Sequence, residues 1–502
     1  VHNDALDFWR KNAKENLANL HKSLQDRHAR AGELAYLLEP DLKEARGGLR
    51  DIQALKAISL SGTVPVPLEK ISWAEGTLNN VRESLHIASG RGKDRLLFQE
   101  QDKVAELLEY ADADAMMGDV ARAARSVDYL LNYTWHAIEH RGKDGLGRFI
   151  SKNRVTTVAK NVSASNREII IDSISTLDED PVVGLRAAAT AAQLGLPLSL
   201  ETCTELSVRL KKGEGKLPTP WPREARELLI SLIGAGEAMV NIFESLDQEE
   251  IIFEWIPEWL SVRSLPQRNA LHRHTVDRHM VETAVFAAAL TRNVHRPDLL
   301  LFAALFHDIG KGTQEDHSER GEKLIEPLAR RIGFDENDIA TLKLLVKHHL
   351  LLSATATRRD LDDPATIASV TAVIPDLQTL ELLHALSIAD GAGCDGVAAD
   401  PSRSPFACQC AHQRHDACLG CAGMCAPRPA LESGRNVATH PPGHRRLAVI
   451  AAHHAARGEA LAPQAGHQVG QLLLRQSQHD AAFADTRPDV PGLPLLPAKV
   501  AL

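Results

Sequence analysis

The chain's metal-binding chemistry is concentrated around one adjacent pair, His307-Asp308. An imidazole nitrogen and a hard carboxylate oxygen together suit a divalent cation. More donors flank the pair. Upstream stands Thr275-Val276-Asp277-Arg278-His279; downstream come Asp316-His317-Ser318, then His348-His349, then Ala389-Asp390. Lys311 adds a cation three residues after Asp308, and Arg358 adds another after the His349 segment. A lone His-Asp pair would read more readily as a core histidine beside a helix-terminal aspartate. Lys311 and Arg358 likewise read as solvated turn residues. The whole series carries the argument.

The elements that must position these residues are helical. Leu299 to Phe306 is an unbroken apolar run that leads straight into His307. It is too short to span a membrane, and reads as a buried helix that delivers the pair into a core. Successive helical side chains diverge by about 100°, so neighbours can reach one ion from two directions. Gly310 and Gly312 let the chain turn away past the helix end. His279 sits with Val281, Val285 and Ala288. Ile339, Leu342, Leu345 and Val346 lead to His349, and Leu377, Leu380, Leu383 and Leu386 lead to Asp390. Each donor thus ends or flanks an apolar stripe, as donors do in a bundle core.

The order His, His-Asp, His, His, Asp resembles the HD phosphohydrolase superfamily. A second stretch, Leu38-Glu39-Pro40-Asp41-Leu42-Lys43-Glu44 followed by Gly47-Gly48-Leu49-Arg50-Asp51-Ile52-Gln53, is long and specific. Taken alone it reads as a charged loop between helices, with Asp51 capping or beginning the next helix. Together with Leu305-Phe306-His307-Asp308-Ile309-Gly310-Lys311-Gly312 it resembles the bifunctional uridylyltransferase/uridylyl-removing enzymes that modify the PII nitrogen-signalling protein.

The resemblance implies an all-α fold: a helical region after a nucleotidyltransferase core, then an HD-type bundle. It implies a metal set of His279, His307, Asp308 and Asp390, with Mg²⁺ or Mn²⁺ as the ion. His317, His349 and Arg358 become candidates for a second metal or for substrate phosphate, and Lys311, Asp277 and His317 for catalytic support. The implied reaction is metal-dependent removal of UMP, or AMP, from a PII tyrosine. An HD hydrolase of a free nucleotide and a non-catalytic fragment that binds PII remain alternatives.

The domains expected in chain order are 1–150, a helical remainder; 151–267, a helical connection; 268–392, the HD domain; and 393–502, a tail. Helices are expected from residue 166 to 235, broken around Trp221 by Pro218, Pro220 and Pro222. Asp112-Ala113-Asp114 lacks the Gly-Ser turn of a nucleotidyltransferase, so the family's transferase motif is not found and UMP transfer is not expected. The tail holds six of the seven cysteines from Cys394 onward, and Lys499 is its only lysine. Cys408, Cys410, Cys418, Cys421 and Cys425 have irregular metal-like spacing, and the segment reads as disordered or frame-shifted. The glutamine-sensing ACT domains of the intact family are not seen. The chain starts with Val, which reads as a fragment. A net charge of −9 argues against DNA binding. No apolar run reaches membrane-spanning length, so a cytoplasmic location is expected.

Overall fold

A computed structural model of the chain describes residues 2–141, 155–268, 274–360 and 363–395. The expected cysteine cluster and the tail beyond residue 395 lie outside the described residues. Among the described residues the chain forms eighteen α-helices and one three-stranded antiparallel sheet. The helical fold class therefore holds.

The N-terminal helices are α1 (His2–Lys11), α2 (Ala13–Ala31), α3 (Leu49–Ser61), α4 (Ser72–Ser89), α5 (Phe98–Leu107) and α6 (Ala113–Arg141). Their apolar stripes meet in one core that includes Leu24, Ile52, Leu55, Leu78, Val120 and Val127. Phe8 is exposed, whereas Trp9 donates its indole N–H to Ala57 O at 2.8 Å.

The Glu39–Gln53 motif is a structural knot between α2 and α3. The Asp41 carboxylate accepts from the Lys43 and Glu44 N–H groups at 3.0 and 2.7 Å. Gly47 has φ +86°, and a Cβ there would fall 2.5 Å from Ala124 O on α6. Asp51 lies in the first turn of α3 but does not cap it. It is fully buried, accepts from Gly47 N–H at 2.7 Å, and pairs with Arg27 and with His28 at 3.0 Å. Burial would raise this carboxyl; the His28 hydrogen bond and the His28 and Arg27 charges more than offset it and lower it.

Residues from 156 to 171 depart from the helical reading. They form β1 (Thr156–Ala159), β2 (Val162–Ser165) and β3 (Glu168–Ile171), paired in sequence order. β-Branched Thr156, Thr157, Val158 and the Ile169-Ile170-Ile171 run favour a pleated, half-buried surface. Asn166 and Arg167 both take positive φ in the β2–β3 turn. Helices resume with α7 (Val183–Leu194), α8 (Leu200–Lys211), α9 (Arg223–Ile233), α10 (Glu237–Gln248) and α11 (Ile251–Trp255), and the expected proline break falls between α8 and α9.

The C-terminal bundle comprises α12 (Val276–Leu290), α13 (Pro297–Phe306), α14 (His317–Ile332), α15 (Glu336–Lys347), α16 (Leu351–Arg358), α17 (Pro364–Thr371) and α18 (Leu377–Asp395). Every side chain from Leu299 to Phe306 is buried. Phe306 meets Trp259 edge-on with ring centroids 6.2 Å apart, and Trp259 meets Phe243 at 4.9 Å. One core therefore runs from the sheet to α18 and is continuous across residue 267. Among the described residues no single helix is long and apolar enough to cross a membrane. One bent pair, α9 with α10, passes by length and composition, and both of its members contribute to the core.

Arg125 of α6 joins the two cores. It pairs with Glu244 at 2.7 Å, Asp247 at 3.3 Å and Asp277 at 2.7 Å.

Asp51→Asn is expected to cost about 3 kcal/mol at neutral pH, because it removes the buried charge that Arg27 and His28 answer. A carboxyl depressed on folding contributes above its unfolded pKa, about 3.9, and loses that contribution as pH falls through the folded value. Urea unfolding should show the gap between wild type and variant narrowing below about pH 4. Equal stability at pH 7 would refute this account of the knot.

Candidate metal centre

His279 lies near the start of α12, and the 277–279 spacing turns its side chain about 200° away from that of Asp277. His307 follows the last residue of α13. Its Nδ1–H donates to Ala304 O at 2.9 Å, which turns Nε2 inward. His279 Nε2 lies 3.2 Å from His307 Nε2 and 2.9 Å from Asp390 Oδ1, and His307 Nε2 is 3.3 Å from Asp308 Oδ2. His279, His307, Asp308 and Asp390, from three different parts of the bundle, thus meet in one buried cluster.

Asp308 also faces a second group. Its Oδ1 is 3.6 Å from His349 Nε2 and 3.9 Å from His317 Nε2. This buried oxygen accepts no hydrogen bond. His349 donates Nδ1–H to Val346 O at 2.7 Å, so its Nε2 points inward too. Two donor triads, His279/His307/Asp308 and Asp308/His317/His349, therefore share one carboxylate. Inward Nε2 atoms, a buried acceptor without a donor, and an imidazole–carboxylate set fit a divalent cation.

Glycine permits this convergence. A Cβ on Gly310 would lie 2.0 Å from His317 O and 2.5 Å from Gly321 N, so close approach requires this glycine. Gly312 is different: its φ of +95° requires a left-handed turn. Asp316 caps α14 by accepting from Ser318 and Glu319 N–H at 2.9 and 3.0 Å, which sets His317 at the helix start. The Asp316-His317-Ser318 signal is thus partly a cap.

Lys311 Nζ sits 2.7 Å from Asp308 Oδ2 and donates to Gln267 Oε1 at 2.9 Å. Burial alone would raise the Asp308 carboxyl; Lys311 and His307 hold it well below the usual range. Burial lowers His307, but Asp308 and Asp390 more than offset it and raise it to about 10. His349, by contrast, is pushed down to about 4, chiefly by burial. Burial also lowers His317.

Two expected participants stand apart. Asp277 Oδ2 is committed to Arg125, and its position two residues from His279 places it on the other side of α12. Arg358 is exposed at the end of α16, with no ion pair or hydrogen bond to the cluster. The sequence reading missed Gln267, which ties Lys311 to His274 O through a 3.1 Å bond. It also missed Arg320, which donates to Gly310 O and Lys311 O, both at 2.9 Å. Neither had a signal in local spacing, because both act through contacts that only folding creates.

Residues 276–390 match the HD domain family, and residues 15–60 and 67–135 match the GlnD PII-uridylyltransferase family. A bifunctional uridylyltransferase/uridylyl-removing enzyme of Streptomyces coelicolor is 46% identical over 400 residues, covering 77% of this chain and 47% of that protein. The chain belongs to the PII-uridylyltransferase/uridylyl-removing family. Family members of the same description from Mycobacterium tuberculosis and Corynebacterium glutamicum are 40% and 30% identical, over 76% and 77% of this chain and 48% and 55% of theirs. The chain spans about half the length of the curated relatives it matches.

Two measurements test the centre. Mn²⁺ is expected to raise the melting temperature, since an ion that binds only the folded state stabilises it, and Asp308→Asn should abolish the rise. A rise retained in Asp308→Asn would place the ion elsewhere. Gly310→Ala should cost about 1–3 kcal/mol through overpacking and weaken Mn²⁺ binding, read by calorimetry. Unchanged stability would show that α14 can give way.

Proposed function

We propose that this chain hydrolyses the phosphodiester joining UMP, or AMP, to a tyrosine of a PII signal protein. The observation that carries the reading is the shared Asp308 carboxylate, with two histidine-bearing donor sets on its two oxygens and Lys311 beside it. The relatives' description as uridylyl-removing enzymes supplies the reaction class.

In this reading His279, His307, Asp308 and Asp390 hold one divalent ion, Mg²⁺ or Mn²⁺, and Asp308, His317 and His349 offer places for a second. When bound, such an ion polarises a phosphoryl oxygen and makes water a competent nucleophile near neutral pH. The chain's own groups do the rest. The Nδ1–H bonds of His307 and His349 to backbone carbonyls keep both rings aimed inward. Lys311 places a positive charge where negative charge grows on the phosphoryl oxygens, and its bond to Gln267 limits its swing. Burial disfavours the charged form of His317, so the neutral ring can take up a proton at Nε2 or bind a phosphate edge. A tyrosine phenolate leaves with a pKa of about 10, so it asks less of a general acid than a sugar alkoxide would.

The test is nucleotide release from uridylylated and from adenylylated PII in Mn²⁺ or Mg²⁺. Wild type is expected to release one nucleotide in a metal-dependent manner, and His307→Ala/Asp308→Ala to lose at least about 10³-fold of that rate. Lys311→Met should lower kcat by about 10²-fold at saturating metal. No release from either substrate, with metal bound, would defeat the proposal and favour a PII-binding module without turnover.

A further inference from the structure

Away from the metal centre, a cleft of about 700 Å³ opens between α6, the β2–β3 turn and α10. That size lies within the roughly 300–1,000 Å³ usual for small-molecule sites. Tyr129, Tyr133, His136 and His140 line it, and their spacing of four, three and four residues puts all of them on one face of α6. The His136 and His140 rings stack with centroids 4.2 Å apart. His140 donates Nδ1–H to His136 O at 2.8 Å, which leaves Nε2 as an acceptor. Leu196 and Ile242 add apolar surface. These groups make a platform for a planar, hydrogen-bonding ring.

The cations of the cleft divide into two kinds. Arg46 pairs with Asp128 at 2.6 Å, Arg125 with Glu244 at 2.7 Å and Arg278 with Glu282 at 2.6 Å. They hold the walls together. Arg167 is exposed and makes no hydrogen bond or ion pair among the described residues. Its backbone is also anomalous: φ is +62° directly after Asn166 at +52°. A two-residue hairpin turn of this shape favours Asn-Gly, so an arginine in the second position carries strain that glycine would relieve. Strain kept at the rim of a cleft points to a task for the side chain.

We propose that this cleft binds a nucleotide, with the base against the aromatic and histidine face of α6 and the phosphates on Arg167. The site is separate from the metal cluster and does not depend on the hydrolytic reading. Titration calorimetry of the full chain with ATP and with UTP, in EDTA, tests it. The expected result is saturable binding of at least one of them, with tripolyphosphate about tenfold weaker because it lacks the ring. Arg167→Gly should weaken binding about tenfold, the cost of one charge-assisted contact. That substitution suits the turn, so the melting temperature should hold or rise. His307→Ala/Asp308→Ala should leave binding unchanged. Absence of binding would overturn the proposal. So would equal binding of tripolyphosphate, indifference to Arg167→Gly, or loss in the His307/Asp308 double variant alone.

Discussion

Asp308 places a negative charge in the bundle interior, with a side chain only 4% exposed. A lone buried carboxylate would be neutralised by a raised pKa; here the surroundings keep it ionised. Lys311 answers one oxygen directly, and four imidazoles surround the pair of oxygens. Much of the C-terminal architecture exists to satisfy that carboxylate. The apolar run of α13 drives the His307-Asp308 pair inward. α12 and α18 bring His279 and Asp390 to one side, and α14 and the turn after α15 bring His317 and His349 to the other.

Close packing sets the tolerances of this arrangement. The turn at Gly310 touches the first residues of α14 so closely that no side chain fits. Gly321 is similarly confined, with Val346 2.8 Å from where its Cβ would stand. Both contacts lie along α14, which carries His317, so they fix how near that ring comes to Asp308. Interiors packed like organic crystals transmit such constraints over several residues.

The N-terminal helices are joined to the same machinery. Arg125 reaches from α6 to Asp277, two residues before His279. Gln267, in the segment leading to α12, holds Lys311. Arg268, beside it, pairs with Asp114 and lies over the Phe98 ring at 5.1 Å. A buried arginine shared among three carboxylates is costly to rearrange once one partner is lost. The two regions that match two separate families are thus coupled through charges at their seam.

How much of this was legible before folding differs by residue. His279, His307, Asp308 and Asp390 are the set that the resemblance to the HD superfamily implies, and in the fold all four side chains meet in one buried cluster. Helices follow from periodicity, and the Pro218–Pro222 break from backbone chemistry. The sheet at 156–171 was missed although Asn161 and Asn166 mark its two turns, because each strand is only four residues long. Asp277 was expected to give catalytic support, yet helical geometry turns it to Arg125. The sequence by itself determined most of the helices and the glycines between them, since residue type and spacing act within one turn, and it supplied the candidate donors through a family resemblance. Only the tertiary structure decided that Asp308 serves two donor sets, that Gln267 steadies Lys311, and that α6 faces a cleft, because those depend on contacts between residues far apart in the chain.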